Sequence, residues 1–327
     1  MIKRRSRSKN SKRLYLLNML RPDWRSLYPF ESHELRLDGL RYHYLDEGRG
    51  EPLLLVHGNP TWSFYWRNLI ARWRERFRVV VPDHIGCGLS DKPAEYPYTL
   101  TQHSNNLTRL VESLDLRWIT LVVHDWGGPI GLRTALAMRE RIARLVILNT
   151  GAFPPPYVPW RIRFCRTPLI GPLAVRGLNL FARSALWMAG AKHDRLTPAV
   201  CAGLLAPYDS WAHRVAIQRF VDDIPTGPSH PTWQPLVELE HGLSQLADRP
   251  VQLIWGMQDW CFRPECLQRF QAIFPDAEVH AFDDASHYVV EDAHERIGPL
   301  VEQFITRYPV VPVGPPCLGG PVVGSSS

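Results

Sequence analysis

The chain has 327 residues, enough for one large catalytic domain with a buried core or for two small domains. Hydrophobic residues make up 45% and charged residues 21%, a composition typical of a globular protein. No apolar run reaches the roughly 18 residues that a membrane-spanning helix needs, which excludes the ordinary helical membrane proteins. The formal net charge of +6 comes from one segment at the N-terminus, and the rest of the chain is almost neutral.

That N-terminal segment is strongly basic. Residues 1–13 contain seven lysines and arginines and no acidic residue. We predict that residues 1–29 form a basic, flexible arm, which is either simply solvated or touches an anionic surface. The apolar run 14–20 is short and is stopped by Pro22 and Asp23, so it does not predict a signal peptide.

Cysteine usage indicates the compartment. The six cysteines are scattered, without a CxxC pair or zinc-ligand spacing, as is typical of reduced thiols in the cytoplasm. The sequence also lacks a metal motif and a dinucleotide fingerprint. We therefore expect a cytoplasmic protein without a cofactor and without a nucleic-acid partner.

The first predicted element is a hairpin over residues 35–46, split by the turn pair Asp38-Gly39. Short, continuous apolar runs follow, which predict strands of a parallel sheet buried on both faces. These strands are expected at 52–56, 79–81, 119–123, 145–148 and 251–255, and a last strand is expected at 278–282. Amphipathic stretches at 64–76, 100–114 and 129–139 alternate with them and predict helices. The alternation indicates an α/β fold with a mostly parallel, doubly wound sheet.

The strand–helix alternation is interrupted once. Residues 154–235 are rich in proline, arginine and tryptophan and contain no convincing strand. We predict that they form a helical cap, inserted between core segments 30–153 and 236–308. The Pro/Gly/Ser-rich residues 309–327 are predicted to be a flexible tail.

The candidate nucleophile, Asp125, follows a predicted strand. The segment 123–127 (VHDWG) has the form of a nucleophile elbow, with Asp in place of the usual Ser and Val123 in place of the first Gly. Asp125 could instead be the N-cap of the following helix. A carboxylate is already charged at neutral pH, so it can attack carbon without a base to ionise it.

Two more residues complete a triad in the chain order of the α/β hydrolases, which is nucleophile, acid, base. Asp259 and His287 both follow predicted strands, at the edge of the sheet where ligands bind. His287 would activate water to release an ester, and Asp259 would orient its ring. The alternatives are a helix cap for Asp259 and a surface loop for His287.

Five sequence blocks resemble the haloalkane dehalogenase family, which has the α/β-hydrolase fold. They lie at 57–70, 80–93, 124–128, 255–262 and 284–292. The resemblance implies that Trp126 and Asn59 bind the leaving halide with their side chains and form the oxyanion hole with their backbone N–H groups. Core packing for Trp126 and a turn for Asn59 are the plainer interpretations.

The resemblance is closest to the members whose acid follows the cap. The other family position for the acid is Asn149 here. Within that group the cap segments 165–179 and 205–225 resemble the β-lactone decarboxylases of bacterial olefin synthesis, which release CO₂ and a cis-alkene with the same triad. The resemblance also implies self-association or a complex with pathway enzymes.

Two functions therefore compete for the same residues. The first expectation is a haloalkane dehalogenase, in which Asp125 displaces halide and His287 activates the water that frees an alcohol. The alternative is a cis-β-lactone decarboxylase that uses the same triad. In either case the expected partner is a small apolar substrate, a haloalkane or a dialkyl β-lactone. An epoxide hydrolase and a non-catalytic scaffold are lesser alternatives.

Overall fold

Eight strands form one sheet in the computed structural model, which describes residues 22–310. The strands are β1 Ser32–Leu37, β2 Leu40–Glu47, β3 Pro52–Val56, β4 Arg78–Pro82, β5 Ile119–His124, β6 Ile142–Leu148, β7 Val251–Gly256 and β8 Glu278–Phe282. Their order in the sheet is β1-β2-β4-β3-β5-β6-β7-β8. The pairs β1–β2 and β2–β4 are antiparallel and all other pairs are parallel. The predicted α/β fold with a mostly parallel sheet is confirmed.

The helices alternate with the parallel strands and then accumulate between β6 and β7. The α-helices are α1 Arg67–Trp73, α2 Leu100–Ser113, α3 Gly127–Ala137, α4 Trp160–Cys165, α5 Ile170–Pro172, α6 Leu180–Met188, α7 Pro198–Leu205, α8 Val215–Asp222, α9 Trp233–Gly242, α10 Pro264–Ile273 and α11 Val289–Arg307. A π-helical stretch, Leu173–Gly177, continues α5, and short 3₁₀ helices include Ser63–Trp66, which leads into α1. Among residues 22–310, no helix has the length and apolarity that a membrane crossing requires.

The local sequence signals explain the sheet. The hairpin turn uses Asp38 at φ 52° and Gly39 at φ 84°, which are the positive values that a two-residue hairpin turn with right-handed strand twist demands. Every residue of β5 and β7 is buried, because helices cover both faces of the sheet at its centre. The apolar runs without alternation were therefore correct predictors of central parallel strands.

The chain between β6 and β7 is helical, but its predicted boundary at residue 235 falls inside α9. Leu236 and Leu239 of this helix join the buried cluster beneath the sheet that also contains residues of α2 and α3. Helix α9 therefore packs on the sheet domain from Leu236 onward, and the predicted boundary divides its first turn from the rest.

The N-terminal boundary also needs a correction. The predicted flexible arm extended to residue 29, yet Trp24 and Tyr28 pack against Trp62, with ring centroids 5.7 and 5.1 Å away. The hydroxyl groups of Tyr28 and Ser63 are hydrogen-bonded at 2.5 Å. Packing of two large aromatic rings fixes these residues on the domain. The basic residues 1–13, the apolar run 14–20 and the tail from residue 311 lie outside the described residues.

Candidate active site

Asp125 lies at the tip of β5 in a left-handed backbone conformation, with φ 52°. Such a conformation is unfavourable for a non-glycine residue and is held here by its surroundings. The turn is tight because Gly58 lies against it: a Cβ on Gly58 would sit 2.0 Å from Asp125 Oδ1. A Cβ on Gly127 would sit 2.1 Å from the Val56 carbonyl oxygen. These glycines let the β5–α3 turn press against the end of β3.

The Asp125 carboxylate is buried but hydrogen-bonded on one oxygen. The backbone N–H of Asn59 donates to Oδ1 at 2.6 Å, and the backbone N–H of Trp126 also stabilises the charged carboxylate. Burial raises the pKa of Asp125 above its usual range, while the charge of His287 and the backbone N–H groups of Trp126 and Asn59 oppose that shift. Desolvation of a carboxylate strengthens it as a nucleophile, and the N–H donors keep it oriented.

His287 lies between the two predicted carboxylates. Its Nε2 is 3.6 Å from Asp125 Oδ2, and its Nδ1 is 2.9 Å from Asp259 Oδ2. Burial lowers the pKa of His287, but the charge and hydrogen bond of Asp259 outweigh this and the net shift is upward. The structure thus brings the three predicted triad residues together in one line, Asp125–His287–Asp259.

Asn59 and Trp126, the predicted leaving-group clamp, also lie beside Asp125. The Trp126 indole is 8% exposed, lines the same cavity as Asp125 and packs on Phe220 with ring centroids 5.5 Å apart. The Asn59 side-chain amide donates to the Ile217 carbonyl at 3.4 Å, near the limit for a hydrogen bond. Because that bond is weak, turning the amide toward a bound anion costs little.

A cavity of about 460 Å³ opens beside these residues. Asn59, Asp125, Trp126 and His287 supply polar groups to its wall, and the rest of the lining is almost entirely apolar. The apolar part comes mainly from the helices and loops between β6 and β7, including Phe153, Val158, Ile162, Phe181 and Met188. A small-molecule site of this kind orients a mostly apolar ligand by a few polar groups at one end.

Known proteins share this fold. A family model described as the alpha/beta hydrolase fold matches residues 51–163 and 206–293, which together are more than half of the chain. The chain belongs to the α/β-hydrolase-fold family.

Two groups of relatives stand out within the α/β-hydrolase-fold family. The chain is 42% identical to a cis-3-alkyl-4-alkyloxetan-2-one decarboxylase from Shewanella oneidensis, over 86% of this chain and 90% of the relative. It is 43% identical to the decarboxylase of that name from Xanthomonas campestris, over 84% and 96%. Haloalkane dehalogenase 2 of Mycobacterium tuberculosis is 35% identical, over 85% and 96%. The chain is therefore an enzyme of the group that contains haloalkane dehalogenases and β-lactone decarboxylases.

Solved structures agree with this placement. The haloalkane dehalogenase DatA from Agrobacterium tumefaciens superposes with a TM-score of 0.77 at 26% identity, covering 85% of this chain and 97% of DatA. An epoxide hydrolase, CorEH, superposes with a TM-score of 0.72 at 23% identity, covering 85% of this chain and 99% of that protein, and at this identity it shows the shared fold alone.

The α/β hydrolase also holds its acid with a residue that the sequence did not assign to the site. Asn149, at the end of β6, donates from Nδ2 to Asp259 Oδ2 at 3.0 Å. The backbone N–H groups of Cys261 and Phe262 donate to Asp259 Oδ1 at 2.6 and 3.0 Å. The sequence named Asn149 only as the other place for an acid. Its position after a strand at the ligand-binding edge was the available signal.

The loop that carries His287 is fixed by two further buried residues. His124 Nε2 is 2.8 Å from the His287 carbonyl oxygen. Asp292 accepts hydrogen bonds from the backbone N–H of Ser286 at 2.9 Å and of Lys192 at 2.9 Å. These contacts join the base to the end of β5 and to the helical insertion, and they set where the imidazole can lie.

Proposed function

We propose that the enzyme is a cis-3-alkyl-4-alkyloxetan-2-one decarboxylase, which converts a dialkyl β-lactone to an alkene and CO₂. The observation that carries the proposal is an Asp125 carboxylate facing His287 at the polar end of an apolar cavity. The higher identity to the decarboxylases, 42–43% against 35% to the dehalogenase, favours this function over the one that the sequence alone put first.

The shape of the cavity supports a substrate with long alkyl chains. Trp160, Phe164 and Leu180 line it and are 72%, 43% and 45% exposed, so the cavity reaches the surface through apolar side chains. A halide displaced from a short alkane needs no such exit. Two alkyl groups on a four-membered ring would lie along these walls with the ring against Asp125.

The hydrogen bonds of Asp125 support attack at the saturated ring carbon that bears the ring oxygen. Attack at the lactone carbonyl creates an oxyanion that needs its own donors. The N–H group of Asn59, one of the two expected donors, already binds the Asp125 carboxylate. Asp125 Oδ2 is left to face the substrate and His287.

This attack gives a balanced reaction without water. Asp125 Oδ2 bonds to the ring carbon, and the ring C–O bond breaks to give a free carboxylate on the neighbouring carbon. The bond to that carboxylate then breaks and releases CO₂. Its electron pair forms the C=C bond, and the bond to Oδ2 breaks and returns its electrons to Asp125. Inversion in the first step and anti elimination in the second convert a cis-lactone to a cis-alkene.

The test is turnover of a cis-dialkyl β-lactone in H₂¹⁸O, with alkene, CO₂ and the label followed by mass spectrometry. We expect alkene and CO₂, with no ¹⁸O gained by Asp125 because no ester is hydrolysed. Asp125→Asn should abolish the reaction, and it leaves the fold intact because the amide oxygen can accept the same N–H bonds. Production of a hydroxy acid in place of alkene would contradict the proposal.

A haloalkane dehalogenase is the second candidate, and the pairing of Trp126 with Asn59 beside Asp125 favours it. With 1,2-dibromoethane, that activity would release bromide, and water activated by His287 would place ¹⁸O in the Asp125 carboxylate. His287→Phe should then trap the alkyl ester on Asp125, a mass shift that the lactone should not produce.

A further inference from the structure

One short segment carries most of the exposed apolar surface. Eight of the 13 large apolar side chains that are exposed in residues 22–310 lie within residues 160–187. Leu169 is 88% exposed, Trp187 74% and Leu178 66%. Concentrated apolar exposure of this kind marks an interaction surface, whereas single exposed residues need no explanation. We call the exposed side chains of residues 160–187 the apolar face.

The segments of the apolar face lie next to one another. Helix α4 contacts α5, and the π-helical stretch Leu173–Gly177 contacts both α5 and α6. Leu169, between α4 and α5, has φ 64°, a value that is unusual for a bulky side chain and unfavourable without compensation. The backbone is therefore strained at the large apolar residue with the highest exposed fraction, which points to a role outside the folding of this chain.

The charge of the apolar face is one-sided. Residues 160–187 contain five arginines and no acidic residue. Arg163 and Arg183 are exposed, and neither forms an ion pair with any residue of the described chain. Arginines elsewhere on the surface, such as Arg296 with Asp284 at 2.6 Å, commonly pair with acids. The uncompensated charge on this face is available to an anionic partner.

The apolar face also borders the active-site cavity. Trp160, Phe164 and Leu180 belong both to the face and to the lining of the cavity. A ligand that leaves the cavity at this point meets apolar side chains before it meets water. If another apolar surface covered this face, apolar ligands could pass between that surface and the active-site cavity without entering water.

We propose that the apolar face docks on an anionic lipid surface, with its large side chains in the acyl region and its arginines at the headgroups. This combination is the pattern of a protein that lies on a membrane without crossing it. A second copy of the same face is a poor partner, because a symmetric contact would bring ten arginines together without an acid. Docking needs only the face, and its use in substrate exchange rests on the proposed function.

The experiment measures partition of the full chain onto vesicles of phosphatidylcholine and of an equimolar mixture with phosphatidylglycerol. We expect Arg163→Gln with Arg183→Gln to weaken binding to the anionic vesicles by roughly 30-fold, since each arginine near such a surface contributes about fivefold. Leu169→Ser with Ile170→Ser should weaken it by about tenfold or more. The basic N-terminal arm is the same in all variants, so it cannot produce these differences.

Matched controls change the same residue types away from the apolar face. Arg36→Gln with Arg117→Gln removes two exposed arginines, and Trp118→Ser with Val279→Ser removes two exposed apolar side chains. Both should bind as the unaltered protein does. Acyl chains brominated near the headgroup should quench tryptophan fluorescence, and Trp187→Phe should remove part of that quenching.

Three results would overturn docking. They are equal partition of the face and control variants, no preference for the anionic vesicles, and a concentration-dependent mass in solution that Leu169→Ser with Ile170→Ser abolishes. The last would assign the face to a second copy. Residues 163, 169, 170, 183 and 187 do not line the cavity, so these variants should turn over a short, water-soluble cis-β-lactone normally. Loss of docking with normal turnover, or the reverse, tells the two proposals apart.

Discussion

At the scale of single residues, the site depends on close approach of backbone to the carboxylate. Asp125 can occupy its strained turn only because the neighbouring Gly58 has no side chain. The carboxylate then receives the Asn59 N–H at 2.6 Å. A displacement of the carboxylate would break this bond and change the distance of 3.6 Å to His287 at the same time.

Gly58→Ala tests this dependence. The new Cβ would lie 2.0 Å from Asp125 Oδ1, so the carboxylate must move. We expect kcat/KM to fall by about 100-fold or more, because a misplacement of about 1 Å is worth that much. Gly227→Ala is the control, since nothing lies within 4 Å of a Cβ there, and it should leave turnover and melting temperature unchanged. Normal activity in Gly58→Ala would show that the carboxylate tolerates movement.

Asn149 and Asp259 are hydrogen-bonded to each other beside His287. We therefore expect that a carboxylate at position 149 can replace the carboxylate at position 259. Asp259→Asn removes the charge that raises the pKa of His287 and should lower kcat/KM for bromide release from 1,2-dibromoethane, where His287 activates water, by about 10⁴-fold, as loss of a triad acid does. Adding Asn149→Asp places a carboxylate one hydrogen bond, 3.0 Å, from the lost one. We expect this double variant to recover at least about tenfold over Asp259→Asn. Asn149→Asp alone should lose activity, because two like charges would then share the site.

The triad could be predicted from sequence because each member lies within five residues of the end of a strand, and parallel strands end at one edge. The residues that hold the triad could not. Asp292 binds Ser286 and Lys192 through hydrogen bonds that span up to 100 residues of sequence. Nothing local to Asp292 distinguishes it from any acid in the first turn of a helix.

At the scale of elements, a buried ion pair joins α1 to α11. Arg67 Nη1 and Nη2 lie 2.5 and 2.8 Å from the two carboxylate oxygens of Glu291, and both residues are almost fully buried. Since Glu291 follows His287 by four residues, this pair fixes the start of α11 relative to β3 and the site. Removing only one partner of such a buried pair strongly destabilises the folded state, because the other charge stays buried without a partner.

Arg67→Met should therefore lower the free energy of unfolding by about 3–5 kcal/mol, because it leaves the Glu291 carboxylate buried and unpaired. Adding Glu291→Leu should restore most of that loss. Arg296→Met, which breaks an exposed pair with Asp284, should cost less than about 1 kcal/mol. Urea unfolding measures all three. A loss in the double variant as large as in Arg67→Met would mean that packing, not charge, holds α11.

Strands and the first hairpin were predictable because local chemistry decides them. Asp38-Gly39 supports positive φ, and unbroken apolar runs suit strands buried on both faces. Where an element packs was not predictable in the same way. The apolar stripe of α9 says that the helix is buried on one side, but it does not say whether the sheet domain or the insertion covers it.

At the scale of the whole molecule, two buried carboxylates link stability to pH with opposite signs. Asp83 follows β4 and accepts the backbone N–H of Ser63 at 2.7 Å and of Leu89 at 2.9 Å. Burial would raise the pKa of Asp83, but hydrogen bonds and the charge of His43 lower it to about 2. Between about pH 2 and pH 4, Asp83 is ionised in the folded protein, whereas the same residue holds a proton in the unfolded chain. Its stabilising contribution is complete above about pH 4 and is lost as pH falls toward 2.

Asp223, at the end of α8, has the opposite effect. Its carboxylate accepts the Leu100 N–H, at the start of α2, at 2.9 Å and also the Thr232 hydroxyl. Burial raises the pKa of Asp223 from 3.8 to about 6. Between those values the folded protein holds a proton that the unfolded chain has released. The free energy of unfolding therefore falls as pH rises from about 4 to 6, and Asp223 contributes no further change above 6.

Asp223→Asn should remove this penalty, because a neutral amide can accept the Leu100 N–H and donate to Thr232. Relative to the unaltered protein, we expect the variant to gain up to about 3 kcal/mol between pH 4 and pH 7, since a difference of about two pKa units is worth that much. Urea unfolding at both pH values measures the gain. A constant difference between the two proteins would mean that Asp223 titrates alike in the folded and unfolded states. The junction between the helical insertion and α2 would then be open to water, since burial is what raises the pKa of Asp223.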